Sequence, residues 1–189
     1  ANLGRFSRRN PPDTDYFVPT GVHFALEVYG DKLLVTDGHH NRVLLVTLEG
    51  KISVLKAFGN IVPTGLDVDG RKIYMAEAGA VPHRAKDGKI VAFTPRSPVR
   101  RVASGARLLV DVELGADHKL YALSQGVFPK GAGEGAPAKP NTGSLVKKRG
   151  NKLAVVTKGL NRPTSLELIG SDAYVVTLKG TIWRIPDVN

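Results

Sequence analysis

Hydrophobic and polar positions alternate along this 189-residue chain or gather in short β-branched blocks, and the same order of blocks and turns returns roughly every 45 residues. Val43-Leu44-Leu45-Val46 and Ala173-Tyr174-Val175-Val176 are typical blocks, too short for helices, and no stretch carries a 3.6-residue period. The pattern predicts an all-β chain.

Four registers superimpose, opening at Pro19-Thr20-Gly21, Pro63-Thr64-Gly65, Leu109-Val110-Asp111 and Pro163-Thr164-Ser165. In the first, residues 22–28 read as an inner strand, Gly30-Asp31 as a tight turn and 32–36 as a second strand. A loop over 37–41, a third strand over 42–47, the turn Glu49-Gly50 and an outer strand over 51–58 complete the unit. The second register predicts strands at 66–68, 72–76, 89–93 and 99–103. The third predicts 112–114, 119–123, 143–146 and 152–157. The fourth predicts 166–169, 173–177 and 181–185, with no outer strand. Four-stranded units at this period mark propeller blades rather than helical solenoids. The expected architecture is a single β-propeller domain of about four blades, at residues 19–60, 61–105, 106–160 and 161–189. Residues 1–18 are rich in Arg, Asn, Pro and Asp and lack alternation, so they read as a connector. A blade without its outer strand leaves an unpaired edge that invites aggregation. The expectation is therefore that a missing N-terminal segment or a second chain completes the propeller.

Antiparallel order sets which loops share a face. The loops between second and third strands lie with the register openings, which gathers Asp37, His39, His40, Glu77, His83, Gln125 and Lys179 on one face. Two long Gly/Ala/Pro-rich insertions, 78–88 and 126–142, join them. Loops held by a rigid scaffold carry function, so Asp37, His39, His40, Glu77, His83 and Gln125 are the candidate ligand-binding residues, for a small molecule or a protein. Lys147, Lys148 and Arg149 fall on the opposite face.

Superimposing the openings also aligns His23, Asp67, Glu113 and Glu167 on the inner strands, around the central channel. Such a set suits a divalent cation such as calcium or zinc, and makes these four the metal candidates. The favoured alternative is that each bonds a neighbouring blade and fixes register, since buried polar groups are normally partnered. Asp37, His39 and His40 lack the H-x-H spacing of a zinc site. Ser144 is outside a G-x-S-x-G elbow, and Gly131–Gly135 lacks the strand-to-helix context of a phosphate loop.

Composition narrows the partners. The net charge of +10 comes from three clusters: Arg5, Arg8, Arg9; Arg96, Arg100, Arg101, Arg107; and Lys147, Lys148, Arg149, Lys152. No stacking aromatics are interleaved with them, so nucleic acid is disfavoured and a solvated, solubilising rim is the preferred reading. The absence of cysteine excludes disulfides, thiolate metal sites and cysteine nucleophiles. No apolar stretch approaches the roughly 20 residues of a membrane span.

Five segments carry a family resemblance: Thr36-Asp37-Gly38-His39-His40-Asn41-Arg42, Val62-Pro63-Thr64-Gly65-Leu66-Asp67, Tyr74-Met75-Ala76-Glu77-Ala78-Gly79, Thr142-Gly143-Ser144-Leu145, and Arg162-Pro163-Thr164-Ser165-Leu166-Glu167 through Tyr174-Val175-Val176-Thr177. Over residues 10–187 the chain resembles the ScyD/ScyE family, six-bladed propellers named after proteins encoded beside scytonemin biosynthesis genes in cyanobacteria. The resemblance implies a secreted or periplasmic protein, a binding scaffold of uncharacterised activity, and two further blades ahead of Ala1. More distantly, the chain is similar to NHL-repeat and gluconolactonase-like propellers, the latter hydrolysing lactones with a divalent metal held partly by asparagines at the inner-strand openings. Thr20, Thr64 and Thr164 stand at those openings here. The alternative function is thus a metal-dependent hydrolase or lyase whose ion sits on the axis against Asp67, Glu113 and Glu167.

Overall fold

A computed structural model describes residues 1–116 and 118–188. Among these residues helix α1 (Leu3–Arg9) precedes fifteen strands. The first sheet holds β1 (His23–Tyr29), β2 (Lys32–Asp37), β3 (Arg42–Thr47) and β4 (Ile52–Ala57). The second set is β5 (Pro63–Asp69), β6 (Lys72–Glu77), β7 (Lys89–Phe93) and β8 (Arg100–Ser104). The third is β9 (Leu109–Leu114), β10 (Leu120–Ser124), β11 (Gly143–Arg149) and β12 (Lys152–Leu160), and the last is β13 (Pro163–Ile169), β14 (Asp172–Thr177) and β15 (Ile182–Ile185). Each set runs antiparallel in chain order. The second and third are also joined edge to edge by one parallel pairing, Lys152 with Ser104.

Alternation along each strand sends one row of side chains to each neighbouring blade. Leu34 and Val43 of the first blade meet Met75, Val91 and Phe93 of the second. Ile90 and Ala92 meet Leu120, Ala122 and Val146 of the third, and Tyr121, Leu123 and Leu145 meet Leu166, Val175 and Ile185 of the fourth. Each large side chain so buried contributes about 1.5–3 kcal/mol. At the two ends the outward rows are open: Leu26 is 64% and Val28 62% exposed on β1, and Ile182 is 66% exposed on β15.

The strands extend past the expected limits at the openings, where Pro63 pairs with Glu77, Leu109 with Ser124 and Pro163 with Thr177. The N-terminal segment is a correction. Residues 3–9 form a helix instead of an irregular connector, capped by the Asn2 side chain, which accepts from Arg5 N at 2.8 Å. Leu3 and Phe6 lie on Val35, Leu44 and Val46, the outer part of the first blade's free face. At 7 residues the helix is shorter than the window in which periodicity shows.

Candidate functional site

The loop between β2 and β3 is held by what it holds. Asp37, His39, His40, Asn41 and Arg42 each grip the chain that leads into the first blade. Ser7 Oγ donates to Asp37 Oδ2 at 2.8 Å, and His39 Nδ1 meets the Thr20 carbonyl at 3.0 Å. His40 Nε2 meets the Val18 carbonyl at 3.1 Å, Asn41 Nδ2 donates to the Tyr16 carbonyl at 3.3 Å, and Arg42 NH1 donates to the Asn10 carbonyl at 2.7 Å. Arg42 Nε also donates to Asp37 Oδ2 at 3.0 Å, within a site where Ser7, Asp37, His40 and Arg42 are all buried. Since the carbonyl of Val18 can only accept, Nε2 of His40 carries the hydrogen, and its Nδ1 accepts from Arg42 NH2 at 3.1 Å. Gly21 is required here because a Cβ would lie 2.7 Å from Asp37 Oδ1 and 3.0 Å from Ser7 Cβ.

This clamp sets one wall of a cleft of about 400 Å³ on the insertion-bearing face. Tyr16, Phe17 and Val18 line it from the N-terminal segment, Val62 and Pro63 from the second blade, and Leu108 and Val110 from the third. His39, His83, Gln125 and Glu134 bring polar groups to it. His83 packs edge-on against Phe128 at 4.9 Å, and burial pushes its pKa down. Gln125 Oε1 accepts from Ala138 N at 2.9 Å, which ties the long insertion 126–142 to the third blade.

Of the six sequence-derived ligand candidates, His39, His83 and Gln125 line this cleft; Asp37 and His40 belong to the buried clamp. Glu77 is buried at the top of β6, in register with Lys89 and away from the cleft, and burial pushes its carboxyl up to about 7 against the pull of Lys89. The structure adds Tyr16, Phe17 and Glu134, which strand periodicity could not reveal because all three lie outside strands.

Around the axis, Asp67 accepts from the backbone N–H of Leu114 in the next blade and from Val68 N at 2.6 Å. Asp111 does the same one blade on, from Leu166 N at 2.8 Å and Val112 N at 3.0 Å. Both therefore staple blade to blade. Glu113, driven by burial and then by Asp67, Asp111, Glu167 and Glu27, is pushed up to about 9, and Asp111, mainly by burial, to about 6. The first blade contributes Glu27 to this group, while His23 sits at the far end of β1 with its Nε2 3.1 Å from Ser7 Oγ. The register shifts between His23 and Leu26, so counting from the opening picks the wrong residue; counting back from the turn glycines Gly30, Gly70 and Gly170 gives Glu27, Asp67 and Glu167. Thr64 Oγ lies 3.1 Å from the Ala76 carbonyl and 2.9 Å from that of Leu109, and Thr164 donates to the Val176 carbonyl at 3.1 Å. Among the described residues no three His, Asp or Glu side chains are arranged to hold a metal ion. Asp67 and Asp111 are each engaged with backbone N–H groups of the next blade, and no reaction step is assigned to an axial cation.

On the opposite face Arg100, Arg101, Arg149 and Lys152 are exposed. Lys147 is a correction to the solvated-rim reading: it is buried, its ammonium lies 4.7 Å from the Tyr121 ring and it donates to the Val188 carbonyl at 3.3 Å. No described helix is long and apolar enough to cross a membrane.

Antiparallel sheets succeeding one another around shared inner strands define a β-propeller. Among solved structures the chain is similar to one of a nidogen/laminin complex, at 17% identity and a TM-score of 0.64 over 86% of this chain and 58% of that one. A protein assigned as a gluconolactonase matches at 13% identity and a TM-score of 0.65 over 92% of this chain and 65% of that one. A streptogramin B lyase matches at 14% identity and a TM-score of 0.55 over 89% of this chain and 56% of that one. At these identities the likeness shows the fold, and the chain spans less than two thirds of each of the three. No protein family profile and no curated protein sequence matches the chain.

Proposed function

We propose that the chain is a ligand-binding propeller scaffold of the ScyD/ScyE type, exported from the cell, that takes a small molecule in the cleft on its insertion-bearing face. The observation that carries this reading is the cleft itself. Its volume of about 400 Å³ lies within the range of small-molecule sites, and apolar walls from three separate segments converge with a few polar groups. Family resemblance supports the export, and fractionation of the native host checks it.

The open rows at Leu26, Val28 and Ile182 support a second element of the proposal, that further blades or a second chain complete a six-bladed ring. These rows are also the competing places where an apolar molecule would settle, so the test separates them. Nile red, an uncharged fluorescent probe, is titrated into the protein, into Ala136→Trp, which fills the cleft, and into the double variant Leu26→Ser/Val28→Ser. One saturable site weakened about 10-fold by Ala136→Trp and unaffected by the double variant is expected. Binding abolished by the double variant and indifferent to Ala136→Trp refutes the cleft as the site.

A further inference from the structure

The polar groups of the cleft define what they would bind, given that the cleft is the binding site proposed above. Among the described residues its lining contains no Lys or Arg, although the chain holds 27 of them, and its one charged side chain is Glu134. The cleft is therefore set against anions within a protein of net charge +10.

The hydrogens follow from the partners. His39 faces the Thr20 carbonyl through Nδ1 at 3.0 Å, and His83 faces the Ala78 carbonyl through Nδ1 at 3.3 Å. Carbonyl oxygens only accept, so each ring donates its Nδ1 hydrogen there, and in the neutral imidazole Nε2 is a lone-pair acceptor. Burial lowers the His83 pKa, opposed by the Gly79 and Ala78 carbonyls and by Glu134 and Asp87, so this ring stays neutral at pH 7. Gln125 uses Oε1 to accept from Ala138 N, which leaves its amide NH₂ as the donor. Among the described residues the buried side-chain oxygens and nitrogens without a partner are Thr14 Oγ1 and Asp37 Oδ1. Nε2 of His39, Nε2 of His83 and the Gln125 amide nitrogen are not among them, and all three side chains line the cleft. Asn41, by contrast, has both ends occupied: Oδ1 accepts from Ile61 N at 3.0 Å and Val62 N at 2.9 Å, and Nδ2 donates to Tyr16.

Two imidazoles, the Gln125 amide and the Glu134 carboxylate thus line, with Asn60, Thr64 and Tyr16, a space walled by Phe17, Phe24 and Val62. We propose that the cleft selects an uncharged aromatic molecule of one or two fused rings that carries hydroxyl groups, the hydroxyls donating to His39 and His83 and a ring substituent accepting from Gln125. A buried acceptor left without its donor is what discriminates against the analogue lacking the hydroxyl.

Three probes of one ring size test this by isothermal titration: naphthalene-2,7-diol, 2,7-dimethoxynaphthalene and naphthalene-2-carboxylate. The diol is expected to bind at least about 10-fold more tightly than the dimethyl ether, and the carboxylate more weakly than either. His83→Phe keeps the aromatic contact with Phe128 and removes one acceptor; it should weaken the diol about 10-fold and leave the ether unchanged. Should His83→Phe fail to fold, Gln125→Glu retains the acceptor for Ala138 N while replacing the donor by a charge, and should weaken both neutral probes and abolish the carboxylate. Equal binding of diol and ether, or tighter binding of the carboxylate, overturns the ligand class while leaving the cleft as the site. Nile red binding in the cleft with none of the three naphthalenes bound overturns the class as well. Failure of all four probes overturns the class and the binding reading together.

Discussion

The two walls of the cleft carry similar side chains and use them differently. On the wall formed by Asp37 to Arg42, two imidazoles, an amide, a guanidinium and a carboxylate turn toward the N-terminal segment, and nearly every donor and acceptor there is matched within the chain. On the wall around His83 and Gln125, each side chain uses one polar atom to fix a loop and also lines the cleft. Residue type alone therefore does not identify a site. A histidine in the clamp orders backbone, and a histidine one blade on can recognise a ligand, because their second nitrogens meet different surroundings. His39 stands between the two cases, anchoring Thr20 while lining the cleft.

Substitutions in the clamp should give the largest effects. Asp37→Ala strips the Arg42 guanidinium of its carboxylate inside the protein and is expected to cost about 3–5 kcal/mol in urea unfolding, whereas a Gln125→Glu change on the other wall stays near 1 kcal/mol. Comparable losses for the two would erase the distinction between the walls. Phe6→Ala should cost about 1–2 kcal/mol and speed tryptic cleavage after Arg8 and Arg9, because Leu3 is then the one apolar side chain of α1 left on Val35, Leu44 and Val46. Unchanged cleavage would mean that the clamp holds the segment without the helix.

The axial carboxylates extend the contrast to pH. Asp37 has a guanidinium beside it, but Glu113 has other carboxyl groups, and its folded pKa of about 9 lies above the ordinary 4.5. The folded protein then keeps a proton that the unfolded chain releases, so the contribution of Glu113 to stability is fully present below 4.5 and is lost as pH rises toward 9. Glu113→Gln should flatten that decline in thermal unfolding measured from pH 5 to 9; a parallel decline in the variant would place its origin in another group. The smallest effect is expected from metal. Millimolar calcium or zinc should shift the melting temperature by less than about 1 °C, since binding to the folded form alone would raise it. A rise of several degrees, lost in Asp67→Asn, would establish a cation on the axis.

Most of the strands were legible because turn glycines and alternation report local backbone geometry, which sequence carries directly. The site was legible in part. His39, His83 and Gln125 could be placed on one face from strand order, but their separation from Asp37 and His40 depends on where the N-terminal segment lies, and residues 1–18 have no period to show it. Lys147 looked solvated because it sits in a run of cations, and only the packing of Tyr121 and the return of the chain at Val188 take it inside. Glu27 was hidden by the irregular register of β1.

The parallel pairing of Lys152 with Ser104, backed by the Ser104 N–H donating to the Asn151 carbonyl at 3.2 Å, is a single bridge, yet it changes how the arc comes apart. Blades in a linear array normally open one at a time, each held by its two neighbours. Stitched at their outer edges, the second and third should exchange their amide hydrogens as one cooperative unit, with the first and fourth opening earlier. The floor of the cleft, at Pro63, Leu108 and Val110, belongs to that slow-opening unit, while its lip at Tyr16 and Phe17 belongs to the part that opens first.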